Sequence, residues 1–274
     1  MTGKTSALGT RSRSARGKRG IGGLSAQTVL HYHRVLNGAL RQALRWQMIA
    51  RNPADAVQAP RPERKPIRVL SEIETRQLLD ATRGTRLYAP VLIAVATGMR
   101  RGEVLALRWE DADFEGAKLI VNRTLEQTRS GLSFKQPKTA KSRRAVAVGP
   151  LVVDALRSHR AAQAQERLQL GASYSDGGLI FPTPDGRPWE PDGFTDAFLA
   201  FAGKHGFGGL RLHDLRHTHA TQLLRAGTHP KIVSERLGHS NIGITLDTYS
   251  HVMPDMQEDA ARAADKVLGA ALGT

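Results

Sequence analysis

The chain contains no cysteine among its 274 residues. This excludes disulfide bonds and cysteine-ligated zinc or iron–sulfur sites, so the folded state must depend on packing alone. The chain also lacks an apolar run of the ~20 residues that a helix needs to cross a bilayer. Its basic, polar start has no apolar core of the kind found in signal peptides. We therefore expect a soluble, cytoplasmic protein without a membrane partner.

Acidic residues are fewer than basic ones: the chain has 25 Asp and Glu but 40 Lys and Arg, which gives a net charge of +15. The excess is concentrated in residues 1–68, which hold 14 basic residues and only Asp55 and Glu63 as acids. This balance indicates an anionic partner, and nucleic acid is the commonest one. Because neutralising phosphates releases counterions, binding by this segment should weaken steeply with salt. For residues 4–19 alone, a solvated tail that only aids solubility is the alternative.

Composition divides the chain into a tail, two domains and a linker. Residues 1–24 are predicted to be a basic disordered tail, because Gly, Ser and Arg without apolar residues cannot form a core. Residues 25–58 are predicted to form a small helical domain, with one helix capped by Ser25 and a short second helix opened by Asn52 and Pro53. The prolines of residues 59–68 favour an extended linker.

Helical patterns dominate the second domain, residues 69–274. A capping-box pattern opens its first helix at Ser71. The segment 88–97 is apolar nearly all round and predicts a buried helix, which Gly98 should end. A short helix carrying Glu103 and finishing near Trp109 should follow. Further helices are predicted over residues 150–170, 191–205, 213–226, 230–237 and 255–271.

Two segments of the second domain predict strands instead. Residues 118–121 and 144–148 are rich in β-branched residues and should pair in a small antiparallel sheet. Between them lie a polar bend through Gly131 and a run of Lys and Arg that could form a basic hairpin. The predicted fold class is therefore mainly α with a small antiparallel β-sheet.

A phosphate-binding pattern occupies residues 212–219, Leu-His-Asp-Leu-Arg-His-Thr-His. On a helix, His213 and Arg216 stand at i and i+3 and share a face, so that the imidazole and the guanidinium can bind the same phosphate. Upstream, Arg100 follows a glycine that should end a helix, and downstream come His239, in Leu-Gly-His, and Tyr249. Two arginines that hold a phosphate and a nearby tyrosine indicate phosphoryl transfer without a metal.

These motifs, in this order, resemble the active site of the tyrosine recombinase (phage integrase) family, over roughly residues 24–252. The resemblance implies the catalytic-domain fold of that family, preceded by a partial helical core-binding domain. It also implies site-specific cleavage and rejoining of DNA through a 3′-phosphotyrosine intermediate, for integration or excision of a mobile element. No cofactor is expected, neither metal nor nucleotide.

The resemblance further implies a role for each matched side chain. Arg100 and Arg216 would clamp the scissile phosphate, and His213 would act in proton transfer or phosphate binding. His239 would hydrogen-bond the same phosphate, and Tyr249 would be the nucleophile. A phenol has a pKa near 10, so its attack must be eased by nearby cations and a proton acceptor.

Two more residues match the family pattern, but the role of one and the choice of the other have alternatives. Glu103 would steady the site, although an ordinary ion pair on a helix face is the alternative. Lys138 would be the general acid toward the leaving 5′ oxygen, and Lys135 and Lys141 are its rivals. Further DNA-binding candidates are Arg34, Arg41, Arg45, Lys135, Lys141 and Arg143.

Several charged residues receive no catalytic role. His217 and His219 match nothing in the family pattern and are assigned to helix packing or surface exposure. His213 and His217 have zinc-ligand spacing, but the glutamate of a His-Glu-x-x-His motif is missing, so no metal site is predicted. Arg101 is interpreted as a surface charge. The acidic group after Trp109 is interpreted as a solvated turn; it comprises Glu110, Asp111 and Asp113.

The expected partners follow from the same resemblance. They are double-stranded DNA, further copies of the chain in a dimer or tetramer assembled through the C-terminal helix, and accessory DNA-bending or directionality proteins, which suggests a nucleoid-associated location. That helix could equally cap the chain's own core. Because only about two helices precede the linker, we expect a shortened core-binding domain, from a fragment, a truncated gene copy or an abbreviated member of the family. Three alternatives remain: a topoisomerase, an inactive DNA-binding regulator and a metal-dependent nuclease.

Overall fold

The structure is a computed structural model that describes residues 23–63, 67–136, 143–250 and 256–272. It divides into two compact units, Met1–Pro66 and Ile67–Thr274. Most of the predicted tail and the segment that carries Lys138 and Lys141 lie outside the described residues. Within the described residues, none of the helices has the length and apolar character of a membrane span.

The first unit contains helix α1, Ala26–Arg45, and a short 3-10 helix, Pro53–Ala56. The Ser25 hydroxyl accepts a hydrogen bond from the Thr28 amide at 3.2 Å, as the capping pattern predicts. The Asn52 side chain caps the 3-10 helix and also donates to Asn37 Oδ1 at 2.8 Å, which ties the short helix to α1. No residue of α1 is buried.

The second unit is mainly helical, and its helices are α2 Glu72–Thr82, α3 Tyr88–Thr97, α4 Arg101–Leu105, α5 Pro150–Leu170, α6 Pro191–Lys204, α7 Leu212–Arg225, α8 Pro230–Leu237, α9 Ile242–Tyr249 and α10 Met256–Leu272. The apolar helix α3 is buried on nearly all sides, as predicted. It packs against α7 and α5, because a helix without a polar face is stable only inside a core. Helix α7 is itself buried along most of its length.

Two small antiparallel sheets accompany the helices. Strands β1 Ala112–Asp113, β2 Lys118–Val121 and β5 Arg144–Ala147 form one sheet in the order β1-β2-β5, and β3 Thr124–Thr128 pairs with β4 Gly131–Lys135 in the other. The predicted pairing of β2 with β5 is confirmed. The bend predicted through Gly131 is in fact the turn of the β3–β4 hairpin, where Gly131 has a φ of +113°. The mainly α class with a small antiparallel sheet component is confirmed.

The structure corrects three details of the second unit. Helix α4 ends at Leu105, before a 3-10 helix at Trp109–Asp111, and α9 was not predicted at all. The acidic group is not wholly solvated, because Asp111 is buried. Its carboxylate accepts hydrogen bonds from the Arg108 amide and the Asn122 side chain, both at 2.9 Å. A buried carboxylate satisfied in this way is structural.

Candidate active site

Two helices end at glycines in the left-handed conformation. Helix α3 ends at Gly98, with a φ of +65°, and α8 ends at Gly238, with a φ of +67°. A Cβ atom at Gly98 would lie 2.6 Å from a Leu237 methyl group, and one at Gly238 would lie 2.7 Å from Arg144 Nη1. Only glycine fits either position. The carbonyl groups at these helix ends lack intrahelical partners and carry partial negative charge, so they attract cations.

Arg216 of α7 is held by these two helix ends. Its Nη1 donates to Gly98 O at 2.6 Å and its Nη2 donates to Leu237 O at 2.8 Å. The side chain is buried, with 3% exposure. Burial, followed by the charge of Arg100, lowers the pKa of Arg216 to about 9, so the guanidinium stays charged at neutral pH. Its planar fork is thereby fixed before any anion binds.

Glu103 links Arg100 to a further arginine, Arg144. Arg100 Nη1 lies 2.9 Å from Glu103 Oε1, and Arg144 donates to both carboxylate oxygens, at 3.2 and 2.8 Å. Burial of Glu103 acts to raise its pKa, but the hydrogen bonds and charges of Arg144 and Arg100 outweigh it and hold the pKa below its ordinary value. The ionised Glu103 therefore fixes both guanidinium groups. This geometry supports the steadying role predicted for Glu103.

Arg144 was missed by the sequence analysis, which singled out its neighbour Arg143. The Arg144 side chain is buried to 7% exposure, and its Nε donates to the Arg236 carbonyl at 2.7 Å. The signal that could have identified it is strand alternation, because Arg144 and Val146 lie on the same face of β5 and Val146 is in the core. An arginine on the inward face of a strand requires a buried acid, and Glu103 is that acid.

The nucleophile candidate Tyr249 stands at the end of α9 with 2% exposure. Burial raises its pKa to about 12, against the opposing effect of Arg216. Its hydroxyl lies 2.8 Å from His217 Nδ1. The His217 ring packs edge-on against His213, with 4.7 Å between ring centroids. Burial and then the charge of Arg216 lower the pKa of His213.

His239 lies in the turn after α8, and its Nδ1 is 2.8 Å from Thr245 Oγ1. Thr245 is fully buried on α9, four residues before Tyr249. Burial, and then the charge of Arg216, lower the pKa of His239 to about 4. Because Nδ1 is occupied by the hydroxyl, the other ring nitrogen is left to contact a ligand. One short helix thus positions both the tyrosine and the histidine.

All five residues matched to the catalytic core, Arg100, His213, Arg216, His239 and Tyr249, line one cavity of about 450 Å³. The remaining lining residues are His217, Gly238, Ser240, Ile244 and Thr248. Of the residues that the structure describes, no three His, Asp or Glu side chains are grouped closely enough to hold a metal ion. The cavity therefore combines two guanidinium groups, three imidazoles and a phenol, which is a set of groups suited to one bound phosphate.

Other predicted residues lie away from this cavity. Lys135 pairs with Glu126 at 2.6 Å, and Arg143 donates to Gln136 at 2.6 Å. Arg101 bonds to Thr195 and Asp192, in keeping with a surface charge. Arg34, Arg41 and Arg45 are exposed on α1.

Of the two histidines that were assigned to packing or exposure, one fits that interpretation. His219 is buried with 6% exposure, and its Nε2 accepts from Arg236 Nε at 3.1 Å. Burial and then the charge of Arg236 lower its pKa to about 4. His217, in contrast, lines the cavity and contacts the Tyr249 hydroxyl, a contact that the sequence analysis did not anticipate.

Comparisons with known proteins identify the family of the chain. The model of the phage integrase family matches residues 68–256. Since this is more than half of the chain, the chain belongs to the phage integrase family, as the motifs suggested. The match spans Arg100, His213, Arg216, His239 and Tyr249.

Two curated relatives illustrate the similarity. The chain is 32% identical, over 256 residues, to a "Tyrosine recombinase XerC-like" protein of Caldanaerobacter subterraneus subsp. tengcongensis, covering 87% of this chain and 66% of the relative. It is 29% identical, over 248 residues, to the "ICEBs1 integrase" of Bacillus subtilis, covering 90% of this chain and 67% of the relative. The chain thus spans about two thirds of the length of these relatives.

A solved structure of the Tn1549 transposon integrase in complex with transposon right end DNA has the same fold. It superposes with a TM-score of 0.76 and 25% identity, covering 90% of this chain and 81% of that one. A XerA recombinase structure matches with a TM-score of 0.56 at 21% identity. The tyrosine recombinase catalytic fold predicted for the second domain is therefore confirmed.

Proposed function

We propose that the chain is a site-specific DNA recombinase that cleaves and rejoins DNA strands through a 3′-phosphotyrosine intermediate, for integration or excision of a mobile element. One observation carries this proposal: two guanidinium groups, two matched histidines and a phenol line a single cavity. Relatives described as integrases and as transposases of Tn916 and Tn1545 support the mobile-element context.

The two arginines supply the electrostatic part of the reaction. In phosphoryl transfer, negative charge must be stabilised on the non-bridging oxygens of the phosphate. Arg216 and Arg100 are held by carbonyl oxygens and by Glu103, so their positions are set before the DNA arrives. Preorganised donors of this kind need no reorganisation during the reaction. Two arginines and His239 can replace the metal ions on which many other phosphoryl-transfer enzymes depend.

The phenol and a lysine complete the displacement. The Tyr249 oxygen attacks the phosphorus, the bond to the 5′ oxygen breaks, and the 3′ phosphate becomes attached to the tyrosine. The leaving 5′ oxygen takes a proton, for which Lys138, outside the described residues, is the candidate donor. Because the phosphotyrosine bond conserves the energy of the broken bond, rejoining by the 5′ hydroxyl needs no ATP.

The DNA backbone would extend from this cavity over neighbouring basic residues. A second cavity of about 520 Å³ is lined by Arg143, Arg144 and Lys231, and it shares Gly238, His239 and Ser240 with the first. Its cations suit an adjacent phosphate. The exposed arginines of α1 belong to the proposed partial core-binding domain, residues 25–58, which the linker 59–68 joins to the catalytic domain 69–274.

Assembly on DNA would use the C-terminal helix. Helix α10 leaves Val267, Leu268 and Leu272 exposed, with 58–77% exposure. These three exposed apolar side chains on one terminal helix could pack against a second copy of the chain, in a dimer or a tetramer. A DNA-bound assembly of this kind, with accessory DNA-bending or directionality proteins, would be associated with the nucleoid.

The proposal is tested by covalent capture on nicked suicide DNA taken from the ends of the genetic element that encodes the chain. We expect the wild type to form a protein–DNA adduct that survives denaturation, and Tyr249→Phe to form no detectable adduct because the nucleophilic oxygen is gone. Tyr174→Phe, a tyrosine remote from the cavity residues in sequence and outside the cavity lining, is the matched control. DNA affinity should be unchanged in both variants.

Two outcomes of this assay would contradict the proposal. Unchanged capture by Tyr249→Phe would remove this residue as the nucleophile, and tight DNA binding without any adduct in the wild type would indicate a DNA-binding regulator. Relaxation of supercoiled plasmids that lack these ends would instead indicate a topoisomerase. EDTA should have no effect on adduct formation.

A further inference from the structure

The hydroxyl of Tyr249 has one hydrogen-bonding partner in the described structure, and it is a residue to which the family pattern gives no role. His217 Nδ1 lies 2.8 Å from the Tyr249 oxygen, and the two ring centroids are 5.8 Å apart. The matched histidine, His213, stands one turn earlier on α7 and contacts His217 rather than the phenol. The cavity therefore presents the nucleophile already bonded to a second imidazole.

The surroundings of His217 determine which of the two groups holds the proton. The charged and titratable groups that face it are Arg211 at the N-cap of α7, His213, Asp214 and Arg216 on α7 itself, Tyr249 on α9, and His239 after α8. Burial, and then the electrostatic effect of His213, lower the pKa of His217 to about 4. Burial raises the pKa of Tyr249 to about 12. In the free protein the phenol is thus protonated and donates to a neutral His217.

We propose that His217 is a catalytic residue that accepts the proton of Tyr249 as the phenolic oxygen attacks the phosphorus. This proposal rests on the proposed function. The O–H bond of Tyr249 breaks while the bond between its oxygen and the phosphorus forms, and the proton moves to His217 Nδ1, giving an imidazolium. The bond from phosphorus to the 5′ oxygen breaks in the same displacement. On rejoining, the 5′ hydroxyl attacks the phosphotyrosine and its proton passes back to the group that protonated the leaving 5′ oxygen, for which Lys138 is the candidate. His217 returns its proton to the departing phenolic oxygen.

Binding of DNA would itself strengthen this base. A phosphodiester placed between Arg100 and Arg216 brings a negative charge into the cavity and offsets the positive charges that disfavour protonation of His217. The proton therefore moves only when the substrate is in position, and the free protein keeps an unreactive phenol. The Nδ1–phenol bond requires the remaining proton of the neutral imidazole to be on Nε2, which points away from the tyrosine.

The first test is single-turnover cleavage of suicide DNA by two His217 variants. His217→Asn keeps a hydrogen-bond acceptor near the position of Nδ1 but cannot take a proton, and His217→Ala keeps neither. General-base catalysis contributes typically 10²–10⁴-fold, so we expect both variants to cleave ~10²-fold or more slowly with unchanged DNA affinity. His205→Asn, an exposed histidine on the C-terminal cap of α6, should match the wild type.

The second test is rescue of His217→Ala by added imidazoles. Small bases that fill the vacated space should restore cleavage, and the restored rate should rise with the basicity of the imidazole, because proton acceptance is rate-determining. A 5′-bridging phosphorothioate, whose sulfur leaves without a proton, should not restore either variant. Melting curves of each variant would show that the fold is retained.

Three results would overturn the inference. These are cleavage by His217→Asn within about threefold of the wild type, rescue that is independent of imidazole basicity, and full rescue by the phosphorothioate, which would move His217 to the leaving-group side. A wild-type protein that forms no adduct at all would contradict the proposed function instead, so the two failures are distinguishable.

Discussion

At the scale of single residues, the buried carboxylate of Glu103 organises the cationic side of the cavity. It accepts from Arg100 on one side and from both terminal nitrogens of Arg144 on the other. Two cations held near one site repel each other unless an anion lies between them, and Glu103 is that anion in the free protein. Arg100 is a local partner three residues away, but the pairing with Arg144 cannot be predicted from local sequence periodicity or helix propensity, because Arg144 is 41 residues away.

Replacing Glu103 by glutamine should therefore destabilise the protein. Glu103→Gln keeps the shape but removes the charge, and breaking a buried ion pair from one side typically costs ~3–5 kcal/mol because the remaining charge is uncompensated. Urea unfolding measures the loss. Glu235→Gln is the control, since Glu235 makes an exposed pair with Lys231 at 3.2 Å and should cost less than ~1 kcal/mol. Equal losses in the two variants would show that Glu103 is not a buried structural anion.

At the scale of elements, the site is built where two helices end. The glycine caps of α3 and α8 bring the carbonyls of Gly98 and Leu237 to the same guanidinium. The chain reverses sharply after each glycine, so the residues that follow, Arg100 and His239, enter the same cavity. Sequence analysis predicted the end of α3 from Gly98 and the end of α8 from the helical pattern of residues 230–237. It could not predict that they face each other.

Gly98→Ala should disturb the cavity more than the same change at another left-handed glycine. A left-handed backbone costs ~1–2 kcal/mol for a residue with a Cβ, and the new methyl group would also press on Leu237 and on His219 at 2.7 Å. Overpacking adds ~1–3 kcal/mol and should displace the carbonyl that holds Arg216, so covalent capture should fall as well.

Gly84→Ala is the matched control for this change. Gly84 has a φ of +73° and open space where its Cβ would lie, so only the backbone cost of ~1–2 kcal/mol applies. Its capture activity should be unchanged. The two variants are compared by thermal unfolding and by single-turnover capture, and indistinguishable results would mean that the close approach of α3 to α8 has no effect on the site.

At the scale of the whole molecule, three neutral histidines make the fold sensitive to acid. The pKa values of His217, His219 and His239 are each lowered to about 4, in every case first by burial. In the unfolded chain a histidine has a pKa of ~6.5. At pH values between about 4 and 6.5 the unfolded state binds more protons than the folded state. The free energy of unfolding therefore falls as the pH drops from about 6.5 toward 4.

The melting temperature should therefore decrease between pH 7 and pH 5, before most carboxylates begin to titrate. Each fully shifted histidine contributes up to ~1.4 kcal/mol per pH unit in this window. Calorimetry at several pH values measures the slope. His219→Gln, whose amide can still accept from Arg236 but does not titrate, should reduce that slope. A melting temperature that is constant from pH 7 to pH 5 would contradict the shifted values.

Much of the fold and of the cavity was predictable because the signals are local. Helices α1, α3, α5 and α7 follow from apolar spacing and caps within a few residues, and the five residues matched to the family's catalytic pattern lie in short motifs. Helix α9 was missed, since Ile-Gly-Ile-Thr has low helix propensity. Its stability comes from tertiary packing: Tyr249 lies in a cluster with Ala220 and Leu224 of α7 and with Val233 and Leu237 of α8.

Local interactions in the chain thus specified most of the helical segments, with α9 as an exception, and which side chains have the chemistry for phosphoryl transfer. Only the tertiary structure decided which groups meet. The bond between His217 and Tyr249 joins residues 32 apart, and the pairing of Arg144 with Glu103 joins two different elements. Such contacts depend on how α7, α8, α9 and β5 pack, and packing depends on the shape of the whole core rather than on any short stretch of sequence.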